Sequence, residues 1–571
     1  MSLFNLVKRA IPFSIVSSCC VLAMQPDLRL AQPFIAGVTG LVTMLLALVL
    51  YAGEKGAVSW TPRTILMVAA FLRLLFLFRQ PELSDDIYRY LWDGLQTLSW
   101  HNPYSLAPTS VPLTSEALAS LFGKLNQPTF VTIYPPAAQF VFAAGACLGG
   151  GVLGLKVLLT VLDLGTCYLL IRLLAAMNLS PWRAVLYAWH PLAVLEVASA
   201  GHIDGAGVFF LTAALLAITA AGGRVHAVDP RREPPAQYHS PGIMASLASG
   251  LLFACAALVK LTPLFFLPGF LLLLPRGRKA TFCAGFLAGG IILSAPFLPD
   301  LFKELDTLAV FAGRWEFSGF IYRSLKKASL SGSMARNILY ALFLLLAAVL
   351  YGSFRSGRNS PHCPGNKEDR LAASAGNEAI QGEPSAWGLG MVPVTGGETA
   401  PLTGYETVEQ ALPVFLDRQT RCKRCPKNRK PRGTRTGVPR KLPLLLMNTF
   451  YKVSMAFLLL TPTLYPWYAL PFAALLPFAA GPSGLVLSWS VFLSYQVLIP
   501  YTLFGVWAEP PYSAAVIWLA PACAFLLSVL FKRGTKGGAG LSTSGNGPGA
   551  NLGTGSKKFT SVRAGHSPES N

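Results

Sequence analysis

Three aspartates lie close together just after an apolar segment, and two of them are adjacent. Asp85, Asp86 and Asp93 fall within nine residues, in a chain of 571 residues that has 26 acidic side chains. Two neighbouring carboxylates repel each other, which raises the proton affinity of one of them. Such a carboxylate suits a general base that takes a proton from a hydroxyl nucleophile. The same residues suit a helix start, so the sequence leaves open which aspartate would act and which would cap.

Other polar and aromatic residues could contact a substrate. Arg89 follows Asp86 by three residues and, on a helix, shares its face, where it could pair with the acids or bind a phosphate. For His202 and Asp204, contacts to a headgroup or sugar are favoured over a metal, because two ligands do not make a site. Lys260 interrupts an apolar run, which makes it a functional candidate. The alternatives are a satisfied span-end turn for the first pair and snorkelling for Lys260.

The predicted substrate contacts extend beyond these positions to aromatic and polar residues in the same and later loops. The predicted set is Arg89, Tyr90, Asp93, Asn102, Tyr104, Tyr134, His202, Asp204, Lys260, Arg314, Trp315 and Trp467.

The composition indicates that membrane helices must position these residues. Hydrophobic residues make up 53% of the chain and charged residues 13%, whereas a soluble domain has about 25% charged residues. Long apolar stretches recur, among them Phe34–Tyr51, Ile243–Pro275 and Ala514–Phe531. The formal charge of +21 is explained more simply by basic cytoplasmic loops than by nucleic-acid binding. Most of the 10 cysteines lie in apolar segments, which does not indicate a disulfide framework.

Basic loops assign the sides of the membrane. Placing them inside predicts an all-α bundle of about 12 to 14 crossings, with both termini in the cytoplasm. A large first loop, residues 79–134, then lies outside and carries the acid pair. The segment Pro135–Gly151 is ambiguous, and the charge bias argues against a full crossing. Residues 1–351 are predicted to form the N-terminal membrane module, and residues 442–531 the C-terminal helices.

Two segments lack any sustained apolar period. Residues 352–441 and 532–571 are rich in small and polar residues, which predicts a disordered cytoplasmic insert and tail. The densely basic stretch Arg418–Lys441 is interpreted as an inside loop held by anionic lipid, with nucleic acid a poor second. Cys422 and Cys425 could hold zinc, but without a second spaced pair the signal is weak.

The order of the motifs resembles a known enzyme group. Asp85–Gly94, Asn102–Tyr104 and Tyr134–Pro136 resemble the first-loop motifs of the bacterial polyprenol-phosphate-mannose-dependent mannosyltransferases and their relatives in the GT-C glycosyltransferase superfamily. Later motifs of that group follow in the same order, at Ser199–Asp204, Lys260–Pro263 and Pro462–Tyr468. In the last of these, Tyr465 stands where many relatives have histidine.

The resemblance implies a GT-C fold and an inverting transfer of a hexose, mannose at family level, from a polyprenyl phosphate in the outer leaflet. It implies that Asp85 or Asp86 deprotonates the acceptor hydroxyl, and that Arg89, Lys260 and Arg314 bind phosphate. The expected partners are the lipid-linked donor, a glycan or lipid acceptor and the bilayer, without nucleic acid, in a bacterial inner membrane. No cofactor is expected, and the sequence gives no support for a divalent metal.

A transporter or lipid flippase is the alternative from another class. It would use the intramembrane charges Asp163, Glu196 and Lys260 as a translocation path. A transporter of this size often shows a two-fold internal repeat, and none is convincing in the sequence. A Gly-rich nucleotide-binding loop is not evident either, which disfavours a cytoplasmic sugar-nucleotide donor.

Overall fold

Helices make up the regular structure of the chain. The computed structural model describes residues 3–220, 241–359, 442–479 and 481–537. Within these ranges the only β-pairing consists of isolated bridges from Thr463 to Phe317 and Ser318. A helix satisfies its own backbone polar groups, which hydrocarbon cannot do. The predicted all-α class is confirmed.

The longer helices are numbered in chain order. They are α1 (Leu3–Ala23), α2 (Gln32–Glu54), α3 (Pro62–Leu77), α4 (Asp86–Leu98), α5 (Glu116–Phe122), α6 (Pro136–Cys147), α7 (Val152–Ala176), α8 (Asp204–Ala220), α9 (Ile243–Val259), α10 (Arg276–Ser294), α11 (Lys303–Arg314), α12 (Phe320–Lys327), α13 (Gly332–Asn359), α14 (Leu442–Leu460), α15 (Pro482–Ser490), α16 (Leu498–Phe504) and α17 (Ser513–Gly537). Contacts divide the chain into two units, Met1–Ala524 and Phe525–Asn571. The candidate site described below lies within the first unit.

Shorter helical pieces link several of these helices. They are Pro108–Ser110, Pro181–Ala184, Val185–Ala188, Pro191–Ala193, Val194–Ser199, Thr262–Phe266, Leu267–Leu273, Ala295–Phe297, Asp300–Phe302, Pro466–Ala469, Leu470–Ala473, Leu476–Ala479 and Val491–Val497. The piece Val194–Ser199 is a π-helix, a form that often marks functional positions.

Seven helices of the described chain are long and apolar enough to cross a membrane. They are α2, α7, α10, α13, α14, the continuous α15–α16 segment and α17. An eighth results if Pro191–Ser199 and α8, bent by 119° at their junction, count as one span. Four shorter apolar helices, Arg9–Ala23, Pro136–Cys147, Ile243–Val259 and Thr262–Leu273, must also count for the total to reach the predicted 12 crossings. The chain is a multi-pass membrane protein.

The ambiguous segment Pro135–Gly151 contains the helix α6, which has 12 residues. A straight crossing needs about 20. After α6 the chain turns through Gly149, Gly150 and Gly151, all with positive φ, and continues as α7. Helix α6 packs against α4, so this segment supports the helix that follows the acid pair.

Two glycines let α4 sit close to its neighbours. A Cβ on Gly94 would lie 2.4 Å from the backbone oxygen of Phe142 on α6. Gly201 has a φ of +76°, and a Cβ there would lie 2.3 Å from Ile87. A side chain at position 94 would push α4 away from α6. At position 201 the constraint is the positive φ, which favours glycine. The position of α4 therefore depends on Gly94.

A sealed ion pair joins α3 to α7. Arg73 donates from Nε to Oδ2 of Asp163 at 2.6 Å, and both side chains are 0% exposed. The same guanidinium donates to the Ala188 carbonyl at 2.8 Å. The Tyr187 hydroxyl donates to Oδ1 of Asp163 at 2.6 Å. Buried charges need such complete pairing.

Some predictions fall beyond the described ranges. Helix α13 runs to Asn359, past the predicted start of the insert at residue 352. The rest of that insert, the Cys422 and Cys425 pair and the tail from residue 538 lie outside the described residues.

Candidate functional site

Two sets of contacts fix the segment that leads from α3 to α4. Lys156 on α7 donates to the carbonyls of Phe76 and Arg79 at 3.1 and 2.5 Å. Arg79 pairs with Glu82 at 2.8 Å, and Glu82 accepts the backbone N–H of Leu28 at 3.1 Å. These contacts set the direction in which the acid pair leaves the membrane helices.

Asp85 stands at the N-cap position of α4, but its side chain makes no cap hydrogen bond. Ser84 supplies one instead, since its hydroxyl accepts the N–H of Asp86 at 3.3 Å. Asp85 is exposed. Desolvation and the neighbouring Asp86 raise the pKa of Asp85, while Arg29 lowers it.

Asp86 is half-buried and has polar partners on both carboxylate oxygens. Asn126 donates to Oδ1 at 2.7 Å, and the Tyr134 hydroxyl lies 3.4 Å from Oδ2. Burial raises the pKa of Asp86, while the hydrogen bond from Asn126, the charge of Lys260 and the Tyr134 hydroxyl oppose that rise. Asp86 is therefore a carboxylate with increased proton affinity that faces cationic and hydroxyl groups, the environment that suits a general base.

Lys260 follows α9 directly and bends away from it with an extended backbone, φ −156°. Its ammonium donates to Oδ2 of Asp204 at 2.7 Å and lies 4.8 Å from the centroid of the Tyr468 ring. An ammonium has three N–H donors, and Asp204 takes one of them. Lys260 therefore keeps hydrogen-bonding capacity for a ligand.

Asp85, Asp86 and Lys260 line one cavity of about 1270 Å³. Ligand pockets for single small molecules have about 300–1,000 Å³, so this cavity has room for more than one substrate. Its wall also contains many aromatic rings, among them Trp315, Tyr465, Trp467, Tyr468 and Trp507. Charged and apolar groups thus face the same space.

Of the other predicted contacts, Arg89, Tyr134, Arg314, Trp315 and Trp467 line this cavity. Arg314 ends α11 with an exposed side chain. Trp315 stacks on Phe311 with ring centroids 5.2 Å apart.

Trp467 presents only an edge to the cavity. Its ring is stacked between Tyr465, at 4.4 Å between centroids, and His202, at 3.9 Å. Both faces are therefore covered, and its exposed fraction is 8%. A sugar cannot stack on a ring whose faces are occupied, so Trp467 acts as wall. His202 lies behind it, 3.4 Å from the Glu196 carboxylate.

Arg89 and Asp93 pair with each other. Nε of Arg89 donates to Oδ1 of Asp93 at 2.9 Å, and the guanidinium also donates to the Phe130 carbonyl at 3.1 Å. Tyr90 stacks on Phe142 at 4.5 Å. These three predicted contacts hold α4 to its surroundings, and only Arg89 reaches the cavity wall.

Asn102 and Tyr104 dock the first loop on other segments. The Asn102 amide donates to the Phe297 carbonyl at 2.8 Å, and the Tyr104 hydroxyl donates to the Tyr134 carbonyl at 2.6 Å. Neither lines the cavity. Their contacts order the loop that carries Tyr134.

Three cavity residues beside the charged groups are absent from the predicted set. Asn126 and Arg29 lie in segments without any motif, and Tyr468 follows Trp467 at the end of a motif. Only the contacts to Asp86, Asp85 and Lys260 reveal them. Among the described residues there is no group of three or more His, Cys, Asp or Glu side chains that could hold a metal ion.

Comparison with known proteins gives one family. Residues 132–358 match the model of glycosyltransferase family 87. This range contains Tyr134, His202, Asp204, Lys260 and Arg314 but ends before the C-terminal helices, and it begins after the acid pair. No curated protein matches the chain.

One solved structure is similar at a distance. It is a crystal structure of the Archaeoglobus fulgidus oligosaccharyltransferase in the apo form, with a TM-score of 0.34 and 13% identity. The similarity covers 82% of this chain and 55% of that one, so the chain spans about half of that protein's length. A likeness this remote supports no conclusion about function. The match to glycosyltransferase family 87 covers less than half of the chain and agrees with the membrane glycosyltransferase that the order of the motifs predicts.

Proposed function

We propose that this protein transfers a hexose, mannose by the family resemblance, from a polyprenyl-phosphate donor to a glycan or lipid acceptor on the outer face of the membrane. The observation that carries this proposal is the presence of Asp86 and Lys260 in the wall of one large cavity. A transfer from a lipid phosphate needs a base for the acceptor and a cation for the leaving phosphate. Both groups are available in one space.

Asp86 is the general base in this proposal, and Asp85 supports it. Asp86 has the ordered partners Asn126 and Tyr134, whereas Asp85 is exposed. A carboxylate held in one orientation is the better proton acceptor, because less of the reaction barrier goes to ordering it. Asp85 is its charged neighbour and lies in the same cavity wall.

Lys260 binds the phosphate of the donor, and Arg314 is the second cation. Their positive charges stabilise the polyprenyl phosphate as it leaves. The acceptor oxygen attacks the anomeric carbon from the side of Asp86, which inverts that centre. The aromatic and aliphatic part of the cavity wall accommodates the first isoprene units.

The test compares matched single variants in nanodiscs, with polyprenyl-phosphate mannose as donor and a cell-envelope lipid extract as acceptor. Asp86→Asn is expected to lower the transfer rate by about 10²–10⁴-fold, the usual contribution of a general base. Asp85→Asn is expected to lower it less than about 10-fold, because only an electrostatic neighbour is lost. Retention of full transfer by Asp86→Asn, with Asp85→Asn inactive, would reverse the assignment.

The rival transporter predicts a different outcome for the purified protein in lipid vesicles. A translocation path would use Asp163 and Glu196, which are absent from the cavity wall. Asp163 is paired with Arg73, and Glu196 accepts the Tyr495 hydroxyl at 2.8 Å. Movement of labelled lipid across vesicles without any sugar transfer would favour the transporter.

A further inference from the structure

The two carboxylate oxygens of Asp86 are not equivalent. Oδ1 accepts a short hydrogen bond from Nδ2 of Asn126, at 2.7 Å. Within the described part of the chain, the hydrogen-bond partner of Oδ2 is the Tyr134 hydroxyl at 3.4 Å, which exceeds the usual O–H···O range of about 2.5–3.0 Å. One oxygen is therefore occupied by the protein, and the other can take a new donor.

Asn126 reaches Asp86 from a loop that has its own anchor. This loop runs from α5 to α6 and lines the cavity with Asn126, Phe130 and Tyr134. Arg89 donates to the Phe130 carbonyl at 3.1 Å, four residues after Asn126. Arg89 is in turn fixed by Asp93 at 2.9 Å. The pairing of Arg89 thus keeps the loop, and with it the amide, against the start of α4.

An amide N–H that donates to a carboxylate favours the ionised form and restricts rotation of the group. Both effects matter for a half-buried base, because its surroundings favour the protonated form. A base that is protonated or turned away cannot take the proton of an acceptor hydroxyl. The single hydrogen bond from Asn126 opposes both the protonation and the rotation of the carboxylate.

We propose that Asn126 is the positioning residue of the base: its amide holds Oδ1 of Asp86, so that Oδ2 faces the cavity and receives the acceptor proton. This rests on the proposed function. In the step, the acceptor O–H bond breaks and its proton goes to Oδ2, while the acceptor oxygen bonds to the anomeric carbon. The bond from that carbon to the phosphate oxygen breaks, and its electron pair leaves with the polyprenyl phosphate.

Other titratable groups surround Asp86 and are the same in wild type and variant. The charged ones are Asp85 beside it, Lys260 after α9 and Asp204 at the start of α8. The hydroxyls of Tyr134, Tyr465 and Tyr468 also face it. Tyr90 and Tyr495 interact with it from further away. A difference in pH profile between wild type and an Asn126 variant therefore reports the amide.

The experiment measures transfer from polyprenyl-phosphate mannose in nanodiscs over a range of pH, for Asn126→Ala and for the control Asn337→Ala. Asn126 is exposed, so its truncation leaves the fold intact; Asn337 is exposed on α13 and is not part of the cavity wall. Asn126→Ala is expected to lower kcat about 10-fold and to move the acid limb of activity upward by about one pH unit. The KM for the donor stays within about twofold, and Asn337→Ala follows the wild type.

Two further variants make the result decisive. Asn126→Gln keeps the amide and is expected to recover part of the rate, whereas the near-isosteric Asn126→Asp adds a like charge and moves the acid limb further upward. An acid limb of Asn126→Ala that coincides with the wild type, or an effect on KM alone, overturns the role of Asn126. That failure is distinct from failure of the proposed function, in which Asp86→Asn itself remains active.

Discussion

Two acid–cation pairs of nearly the same length have opposite surroundings. Arg73 and Asp163 lie 2.6 Å apart with both side chains 0% exposed. Lys260 and Asp204 lie 2.7 Å apart, with Lys260 21% and Asp204 3% exposed. The first pair is completed by Tyr187 and a backbone carbonyl. The second opens on the cavity that contains Asp86.

The length of an ion pair therefore does not indicate its function. A pair whose hydrogen bonds are all satisfied by protein has no place for a ligand and acts as a joint between helices. A pair with unused donors and a cavity beside it can exchange a partner. From the sequence, Asp163 and Lys260 looked alike, as single charges in apolar segments.

The largest effect is expected at the fully buried Arg73–Asp163 pair. Asp163→Asn leaves the Arg73 guanidinium buried without its counter-charge, which costs about 3–5 kcal/mol. Unfolding in mixed micelles with increasing SDS measures this loss. The control is the double variant Arg73→Met with Asp163→Leu, which removes both charges and is expected to regain most of the stability. A double variant as unstable as Asp163→Asn would contradict the account of this pair.

At the Lys260–Asp204 pair, which lies beside the cavity, the main loss is expected in the rate of catalysis. Lys260→Met removes the cation that faces the leaving phosphate, and kcat/KM per folded molecule is expected to fall about 100-fold. Resistance to SDS is expected to fall as well, because Asp204, 3% exposed, loses its counter-charge. Lys156→Met is the matched control: Lys156 donates to the Phe76 and Arg79 carbonyls and lies outside the cavity wall. It should lose stability more than it loses rate per folded molecule. A loss of rate per folded molecule in Lys156→Met as large as that in Lys260→Met would erase the distinction.

The smallest effect concerns pH. Burial raises the pKa of Asp86, and the base works only when ionised. Activity is therefore expected to fall as the pH decreases, with a midpoint above the value of a free aspartate, about 3.9. The rate is measured from acid to neutral pH, with tryptophan fluorescence as a check that the protein stays folded. A rate independent of pH through the acidic range would remove Asp86 from the mechanism.

The predicted site residues separate into those that the structure brings to the cavity and those that it does not. Lys260 stands out in sequence because a charge in an apolar run is costly, and it lines the cavity. Four residues of the first-loop motifs pack against other parts of the protein instead: Tyr90, Asp93, Asn102 and Tyr104. Belonging to a motif predicts that a residue lies near the site, whereas the direction of its side chain depends on the residues that pack beside it.

The amino-acid sequence alone is enough to predict an all-α membrane protein, because long, nearly uncharged apolar stretches cross hydrocarbon as helices. It also determined that the first-loop acids are candidates for chemistry. Only the tertiary structure distinguished Asp86 from Asp85 and joined Asn126, which lies 40 residues away, to its carboxylate. Such contacts arise where separate helices and loops meet, so the spacing of residues along the chain does not predict them.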